Sequence, residues 1–157
     1  MNGPIIGIDH VQVAAPAGCE AAARRFYGGL LGLEEIPKPA ALAARGGVWY
    51  RVGANELHVG VARDFVPATK AHPAFRVASV TELERLAARL EDHGIDVRRA
   101  ATTEIPGATR FFVDDPWGNR VELLADISGP ACGEDIDVRR TRQWAESASP
   151  STKKEER

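Results

Sequence analysis

The segment IIGIDHVQVA (residues 5–14) alternates apolar side chains with others and carries a histidine, His10, near its middle. Alternation over a short segment predicts a strand with one buried face, because successive side chains point to opposite faces of a sheet. The segment AHPAFRVA (residues 71–78) has the same character, with His72 near its start. Two similar strands, each carrying a histidine, indicate an internal repeat.

A helical pattern follows each of these strands. Apolar residues recur on one helix face in both halves: Ala23, Phe26, Tyr27 and Leu30 in the first, and Leu83, Leu86, Ala87 and Leu90 in the second. Ser79 and Glu82 form a capping-box pattern at the start of the second helix. Gly32 lies 22 positions after His10, and Gly94 lies 22 positions after His72. Both glycines stand where a helix ends with a left-handed residue.

Three short strands are predicted after each helix. They cover residues 33–36, 47–52 and 56–61 in the first half, and residues 95–99, 109–115 and 119–125 in the second. Turn sequences, Gly53-Ala54-Asn55 and Pro116-Trp117-Gly118, join the last two strands of each half. The order strand–helix–strand–strand–strand therefore occurs twice. It predicts an α+β domain over residues 1–128, with modules at 5–61 and 71–126.

The rest of the chain lacks this periodicity. Residues 62–71 are predicted to be a connecting loop, and residues 129–157 a polar C-terminal tail that is largely disordered. Trp144 is a candidate for anchoring part of the tail to the domain or to a partner subunit.

Composition excludes several classes of protein. The 157 residues are 44% hydrophobic, which is enough for one compact core, and the formal net charge of -2 gives no basic surface for nucleic acid. We see no apolar run suited to a membrane span and no signal segment, and we expect a cytoplasmic protein. Cys19 and Cys132 are far apart and outside any C-x-x-C pair, which argues against a disulfide framework or a structural zinc site.

Four potential metal ligands form two repeat-related pairs. His10 corresponds to His72, and His58 corresponds to Glu122 in the last strand of each half. Each lies on the strand face opposite to apolar neighbours that a helix would cover. If the modules assemble around a curved sheet, all four side chains point into its concave side. The pattern predicts a metal site between two modules.

At these residues the chain resembles the vicinal oxygen chelate superfamily. This superfamily includes glyoxalase I, methylmalonyl-CoA epimerase, extradiol dioxygenases, fosfomycin-resistance enzymes and bleomycin-binding proteins. The matching stretches are IDHVQV, RRFYGGLLGLEE, ELHVGV, AHPAFRV and DDPWGNRVELL. The resemblance implies two tandem βαβββ modules that form a cup-shaped, curved mixed sheet with helices on the convex side. It also implies a homodimer, and a divalent metal held by His10, His58, His72 and Glu122.

The histidine at position 58 departs from glyoxalase I-like members, which tend to have a carboxylate there. His10, His72 and Glu122 would supply the 2-His-1-carboxylate set that binds Fe(II) in extradiol dioxygenases, although a tyrosine typical of those enzymes is not evident. We therefore expect Fe(II) first, with Ni(II), Co(II), Mn(II) and Zn(II) open. His58 is either a fourth ligand or an acid–base group, and His58 and Glu122 are the catalytic candidates.

Five further residues are candidates for binding a small-molecule substrate, and all of them except Gln12 have an alternative place on an exposed face: Gln12, Trp49, Arg51, Arg110 and Phe112. Glu56 is either an acid–base group beside His58 or a solvated carboxylate. The resulting hypothesis is a metal-dependent enzyme that binds vicinal substrate oxygens, with oxygenase-like or lyase/isomerase chemistry. The alternative is a metal-free drug-binding or antibiotic-resistance protein of the bleomycin or fosfomycin type.

Overall fold

The structure, a computed structural model, describes residues 3–102 and 104–128. Its elements in chain order are β1 (His10–Ala15), α1 (Glu20–Ala23), a π-helical continuation of α1 (Arg24–Leu30), β2 (Glu34–Ile36), α2 (Ala40–Ala43), β3 (Val48–Val52), β4 (Asn55–Val61), β5 (Ala74–Arg76), α3 (Val80–Asp92), β6 (Arg98–Arg99), β7 (Ala108–Asp114) and β8 (Arg120–Asp126). The predicted order is confirmed in both halves, and the short helix α2 is an addition to it.

The strands form two four-stranded mixed sheets with one topology. The strand orders are β1-β4-β3-β2 and β5-β8-β7-β6. Strand β1 runs parallel to β4, and β5 runs parallel to β8. The remaining strand pairs are antiparallel. The α+β class with paired βαβββ modules is thus confirmed. Strands β1 and β5 each lie at the edge of their sheet.

Helix α3 forms where the sequence predicts it. The Ser79 hydroxyl accepts a hydrogen bond from the Glu82 backbone N–H, which caps the helix. Gly94 has φ of 74° and Gly32 has φ of 76°, in the left-handed region that ends a helix without strain. The predicted apolar face of α3 is buried, and it belongs to one core with residues from both modules. This core holds the two sheets in place behind the candidate site.

Strand β1 is shorter than predicted. Residues 5–9 belong to the predicted strand, yet β1 begins at His10, because its neighbour β4 begins at Asn55 and pairs Glu56 with His10. Three isoleucines of this segment are exposed at 86%, 102% and 69%: Ile5, Ile6 and Ile8. The segment has a strand sequence, and within the described part of the chain no strand lies along it. The strand predicted at residues 71–78 is likewise reduced to β5.

A buried polar network joins the two modules. The Asp115 carboxylate accepts hydrogen bonds from the Tyr27 hydroxyl at 3.0 Å and from the Asn119 side-chain amide at 2.8 Å. That amide also donates to the Ala14 carbonyl of β1 at 2.8 Å, and its oxygen accepts from the Ala68 N–H at 2.9 Å. Burial and the neighbouring Asp115 raise the pKa of Tyr27 far above its ordinary value. The turn before β8 therefore fixes module two against β1 of module one.

The predictions for the C-terminal tail and for one of the two cysteines concern residues outside the described part of the chain. The C-terminal tail, with Trp144, lies outside the described residues, as does Cys132. Cys19 is buried as a free thiol, and burial raises its pKa. Among the helices that the structure describes, none has the length and apolar character needed to cross a membrane.

Tyr50→Phe is expected to preserve or raise the free energy of unfolding near neutral pH. The Tyr50 side chain is fully buried, and its hydroxyl has no hydrogen-bond partner among the described residues. Removing an unpaired buried hydroxyl relieves a desolvation cost. Burial also raises the pKa of Tyr50 to about 12 from its ordinary value of 10.0. The native protein is therefore expected to lose stability as the pH rises from about 10 to about 12, by at most about 2.7 kcal/mol.

Urea unfolding at about pH 8 and about pH 11 measures both effects. The Tyr50→Phe variant should lose less stability than the native protein between the two pH values. Tyr27→Phe is the matched control, because it removes a hydroxyl that donates to Asp115. It should destabilise the protein at about pH 8. A Tyr50→Phe variant that is less stable at about pH 8 would contradict the prediction.

Candidate functional site

His72 and Glu122 form a close pair in module two. Ala74 of β5 is paired with Glu122 of β8, so β5 places the preceding His72 beside the carboxylate. Nε2 of His72 lies 2.9 Å from Oε2 of Glu122, and Nδ1 of His72 lies 2.6 Å from the Lys70 carbonyl oxygen. Nδ1–H therefore donates to the backbone, and Nε2 faces the carboxylate. Glu122 is only 6% exposed.

The donor chemistry of this pair fits a divalent metal. An imidazole lone pair and a carboxylate oxygen repel each other at 2.9 Å unless a proton or a cation lies between them. Two ligand atoms at right angles, each about 2.1 Å from a metal, lie about 3 Å apart. A histidine whose other ring nitrogen donates to a backbone carbonyl is also typical of metal sites. His72 and Glu122 together could supply two ligands.

Arg110 and Phe112 adjoin the pair, as their predicted face allows. The Arg110 guanidinium donates to Oε1 of Glu122 at 3.0 Å, which leaves Oε2 directed at His72. Its hydrogen bond to Glu122, with a second to Glu104, raises the pKa of Arg110. The Phe112 ring stands edge-on to His72, with centroids 5.6 Å apart. Arg110 thus orients the carboxylate, and Phe112 lines the same surface.

Three rings stack in module one. The rings of Trp49 and His58 are nearly parallel, with centroids 3.7 Å apart, and His10 covers the other face of His58 at 4.2 Å. The pairing of β3 with β4 sets Trp49 directly opposite His58. Nδ1 of His10 lies 2.7 Å from an Asp9 carboxylate oxygen. His10 and His58, the counterparts in module one of His72 and Glu122, are therefore also in contact.

His58 is bound to a carboxylate of its own strand. Its Nε2 lies 2.9 Å from Oε2 of Glu56, two residues earlier on β4. His58 is 5% exposed, and the Glu56 side chain is 27% exposed. In stacked rings the in-plane lone pairs of His10 and His58 run side by side and do not converge on one point. A buried imidazole held by a carboxylate is suited to moving a proton.

The other substrate candidates lie at two cavities. Gln12 and Trp49 line a cavity of about 190 Å³ together with Lys38 and Arg45. A Cβ atom at Gly60 would meet the Gln12 amide carbon at 2.8 Å, so a larger residue there would displace the Gln12 amide from its present position. Arg51 lies instead at a cavity of about 470 Å³ between module one and α3, and it is 3.5 Å from Glu56.

The four predicted ligands do not meet in one chain. Within residues 3–102 and 104–128, no group of three or more His, Cys, Asp or Glu side chains is arranged to hold a metal ion. His10 lies with His58 in module one, and His72 lies with Glu122 in module two. One chain therefore holds the four predicted ligands as two separate pairs.

Arg120 is a residue of this surface that the sequence interpretation did not single out. It lies two residues before Glu122 on β8, and its Cζ is 5.4 Å from the Phe112 ring centroid. The signal was present in NRVELLA, where alternation places Arg120 and Glu122 on one face. The pairing of Phe112 with Glu122, which completes the cluster, depends on strand register.

Comparisons with known proteins agree with this architecture. The profile of the Glyoxalase/Bleomycin resistance protein/Dioxygenase superfamily matches residues 7–123. A glyoxalase family protein from Bacillus anthracis shares 48% sequence identity at a TM-score of 0.73, over 80% of this chain and 99% of that chain. No curated protein matches significantly.

Two more distant structures share the fold. A lactoylglutathione lyase from Agrobacterium tumefaciens is 23% identical, with a TM-score of 0.59, over 78% of this chain and 96% of that chain. A fosfomycin resistance protein from Listeria monocytogenes is 16% identical, with a TM-score of 0.60, over 77% of this chain and 93% of that chain. From the profile match and the Bacillus anthracis relative together, we conclude that the chain belongs to the Glyoxalase/Bleomycin resistance protein/Dioxygenase superfamily, the vicinal oxygen chelate group that its sequence resembles.

Proposed function

We propose that the protein is a divalent-metal-dependent enzyme that binds a small molecule through two vicinal oxygens and transfers a proton, in a lyase or isomerase reaction. The observation that carries the proposal is the pair formed by His72 and Glu122, held 2.9 Å apart with the distal ring nitrogen fixed by a backbone carbonyl. The contact between His58 and Glu56 supports proton transfer over oxygenase chemistry. Histidine and carboxylate donors accept Fe(II), Ni(II), Co(II), Mn(II) and Zn(II).

A second copy of the chain completes the site in this proposal. Strands β1 and β5 are both edge strands, and the exposed isoleucines of residues 5–9 extend β1 without a neighbour. A twofold contact that sets β1 beside β5 of the partner pairs both edges at once. It brings His10 next to His72 and Glu122 of the partner subunit, which makes three ligands. Each dimer then contains two such sites.

The side chains have separate roles in this arrangement. When bound, the metal polarises the substrate oxygens and stabilises negative charge that develops on them. Arg110 holds the Glu122 carboxylate in place. His58 takes up or returns the proton, while Glu56 orients its ring and stabilises the charged form. Trp49 covers one face of His58 and excludes water from it.

Mixing two defective variants tests the shared site. Alone, His10→Ala and Glu122→Ala each lack a ligand in both sites of a homodimer. In a heterodimer of the two, purified through two different tags, one site has lost both ligands and the other is intact. We expect about one Ni(II) or Mn(II) per heterodimer, and far less for either variant alone, by elemental analysis after dialysis.

A heterodimer that binds no metal, while the native protein binds it, would show that each site lies within one chain or elsewhere. Native protein that takes up no divalent metal on titration would overturn the metal-dependent proposal itself. Sedimentation of the native protein checks the dimer independently. The His58→Ala variant should retain metal and lose turnover once a substrate is known.

A metal-free binding protein is the second candidate function. The stack of Trp49, His58 and His10 favours it, because flat ligands bind to such proteins by aromatic stacking. Both rings beside His58 would then contact the ligand or give way to it. Elemental analysis of protein purified without added metal separates the two functions, because this candidate requires no divalent ion at any stage.

A further inference from the structure

Two arginines flank the Phe112 ring on the face that carries Glu122. Phe112 of β7 is paired with Glu122 of β8, and paired residues share a sheet face. Arg110 and Arg120 each lie two residues along their strand from this pair, so they point to the same face. Their Cζ atoms lie 5.0 Å and 5.4 Å from the ring centroid. The surface beside His72 is therefore lined by positive charge.

The two arginines differ in their partners. Arg110 donates to two carboxylates, those of Glu122 and Glu104. Across residues 3–102 and 104–128, no carboxylate comes within ion-pair distance of the Arg120 guanidinium, whose contact is with the Phe112 ring. The strand neighbour of Arg120 is Asp114, and that carboxylate is bound by Arg98 at 2.6 Å. Arg120 thus has a charge that the described chain leaves without a counterion.

Arg120 also has a buried donor without an acceptor. Its Nε is buried, as is that of Arg110, and neither has a hydrogen-bond partner in the described part of the chain. Such groups are rare in folded proteins, because a buried N–H that loses water and gains no acceptor is destabilising. A planar carboxylate can accept from Nε–H and an Nη–H of one guanidinium together. A carboxylate bound at Arg120 would therefore supply both the acceptor that Nε–H lacks and a counterion for the guanidinium.

We propose that Arg120 binds a carboxylate group of the substrate, beside the Phe112 ring, so that the site selects small, planar organic acids. The position next to Glu122 and His72 lets the remaining oxygens of such an acid reach the metal, and this part of the inference rests on the proposed function. Arg110 is a positioning residue here, since its charge is already balanced. The flat Phe112 ring beside the guanidinium gives a planar acid a surface on which to stack.

Oxalate and oxamide provide a matched pair of probes. Both are planar and carry vicinal oxygens, but only oxalate is charged. In calorimetric titrations of the metal-free full-length protein at low salt, we expect oxalate to bind and oxamide not to bind. Arg120→Gln should weaken oxalate binding at least about tenfold. Arg85→Gln removes the same charge from the surface of α3, and it should leave the oxalate affinity unchanged.

Four results would overturn the inference. Oxalate that fails to bind the native protein, or binds Arg120→Gln equally well, would show that Arg120 is not the binding group. An equal loss in Arg85→Gln would reduce the effect to overall charge. If methylphosphonate binds more tightly than oxalate, the site selects a tetrahedral anion and not a carboxylate.

The same variants separate this inference from the metal proposal. Arg120→Gln should still bind Ni(II) or Mn(II) as the native protein does, because Arg120 is not a ligand. If the native protein binds no metal but binds oxalate through Arg120, the metal-dependent function fails and the carboxylate site stands. If metal binds normally and oxalate binding does not depend on Arg120, the carboxylate site fails and the metal-dependent function stands.

Discussion

Glu122→Ala is expected to lower the affinity for Ni(II) or Mn(II) by about a hundredfold or more, below detection in a calorimetric titration. The substitution removes the only negative charge among the proposed ligands and leaves Nε2 of His72 without its carboxylate. It also frees one side of Arg110, whose positive charge then repels a cation. Far-UV circular dichroism and a melting curve should show that the variant is folded.

Glu104→Ala is the matched control for this substitution. Glu104 also accepts a hydrogen bond from Arg110, but its side chain is 54% exposed, and it has no contact with His72. Its loss should leave metal binding within about twofold of the native protein. His72→Ala should reproduce the effect of Glu122→Ala. If both His72→Ala and Glu122→Ala keep stoichiometric metal, the ion is held elsewhere.

Asn119→Ala is expected to lower the free energy of unfolding by about 3–4 kcal/mol, the largest effect on stability that we predict. Asn119 is 2% exposed. Its side-chain NH2 group donates to the Ala14 carbonyl and to the Asp115 carboxylate, and its side-chain oxygen accepts from the Ala68 N–H. The substitution leaves the buried Asp115 carboxylate and the part-buried contacts with Ala14 and Ala68 with one partner fewer each, and it loosens the contact between the modules.

Asn55→Ala serves as the control for Asn119→Ala. The Asn55 side chain also donates to a backbone carbonyl, that of Ile8, but the contact is exposed to solvent. Its loss should cost about 1 kcal/mol or less in urea unfolding. Asn119→Asp should be as damaging as Asn119→Ala, because it places a second carboxylate against Asp115. Equal, small losses at positions 55 and 119 would show that the buried network adds little.

The repeat made most of the fold predictable. Alternation and helical periodicity are local signals, and they recur in both halves, so strand order and helix α3 follow from the sequence. The length of β1 does not follow, because a strand extends only as far as its neighbour. Residues 5–9 have the pattern of a strand, but β4 begins at Asn55 and leaves most of them unpaired. Pairing is a property of the assembled sheet.

The sequence identified the four candidate ligands but not how they group within one chain. The repeat relates His10 to His72 and His58 to Glu122, and the structure shows contacts within each module. The contact between His58 and Glu56 follows from their alternation on one strand. The placement of Trp49 on His58 and of Phe112 beside Glu122 depends on register between strands, which composition and spacing leave open.

The stack of Trp49 on His58 gives the protein a spectroscopic reporter. Indole emission is quenched by an imidazole in van der Waals contact, and the two rings lie 3.7 Å apart and nearly parallel. A compound that enters between them or draws His58 away should brighten Trp49. The sequence has 3 tryptophans, so changing Trp117 and Trp144 to phenylalanine isolates this signal. Compound libraries could then be screened by fluorescence before any substrate is known.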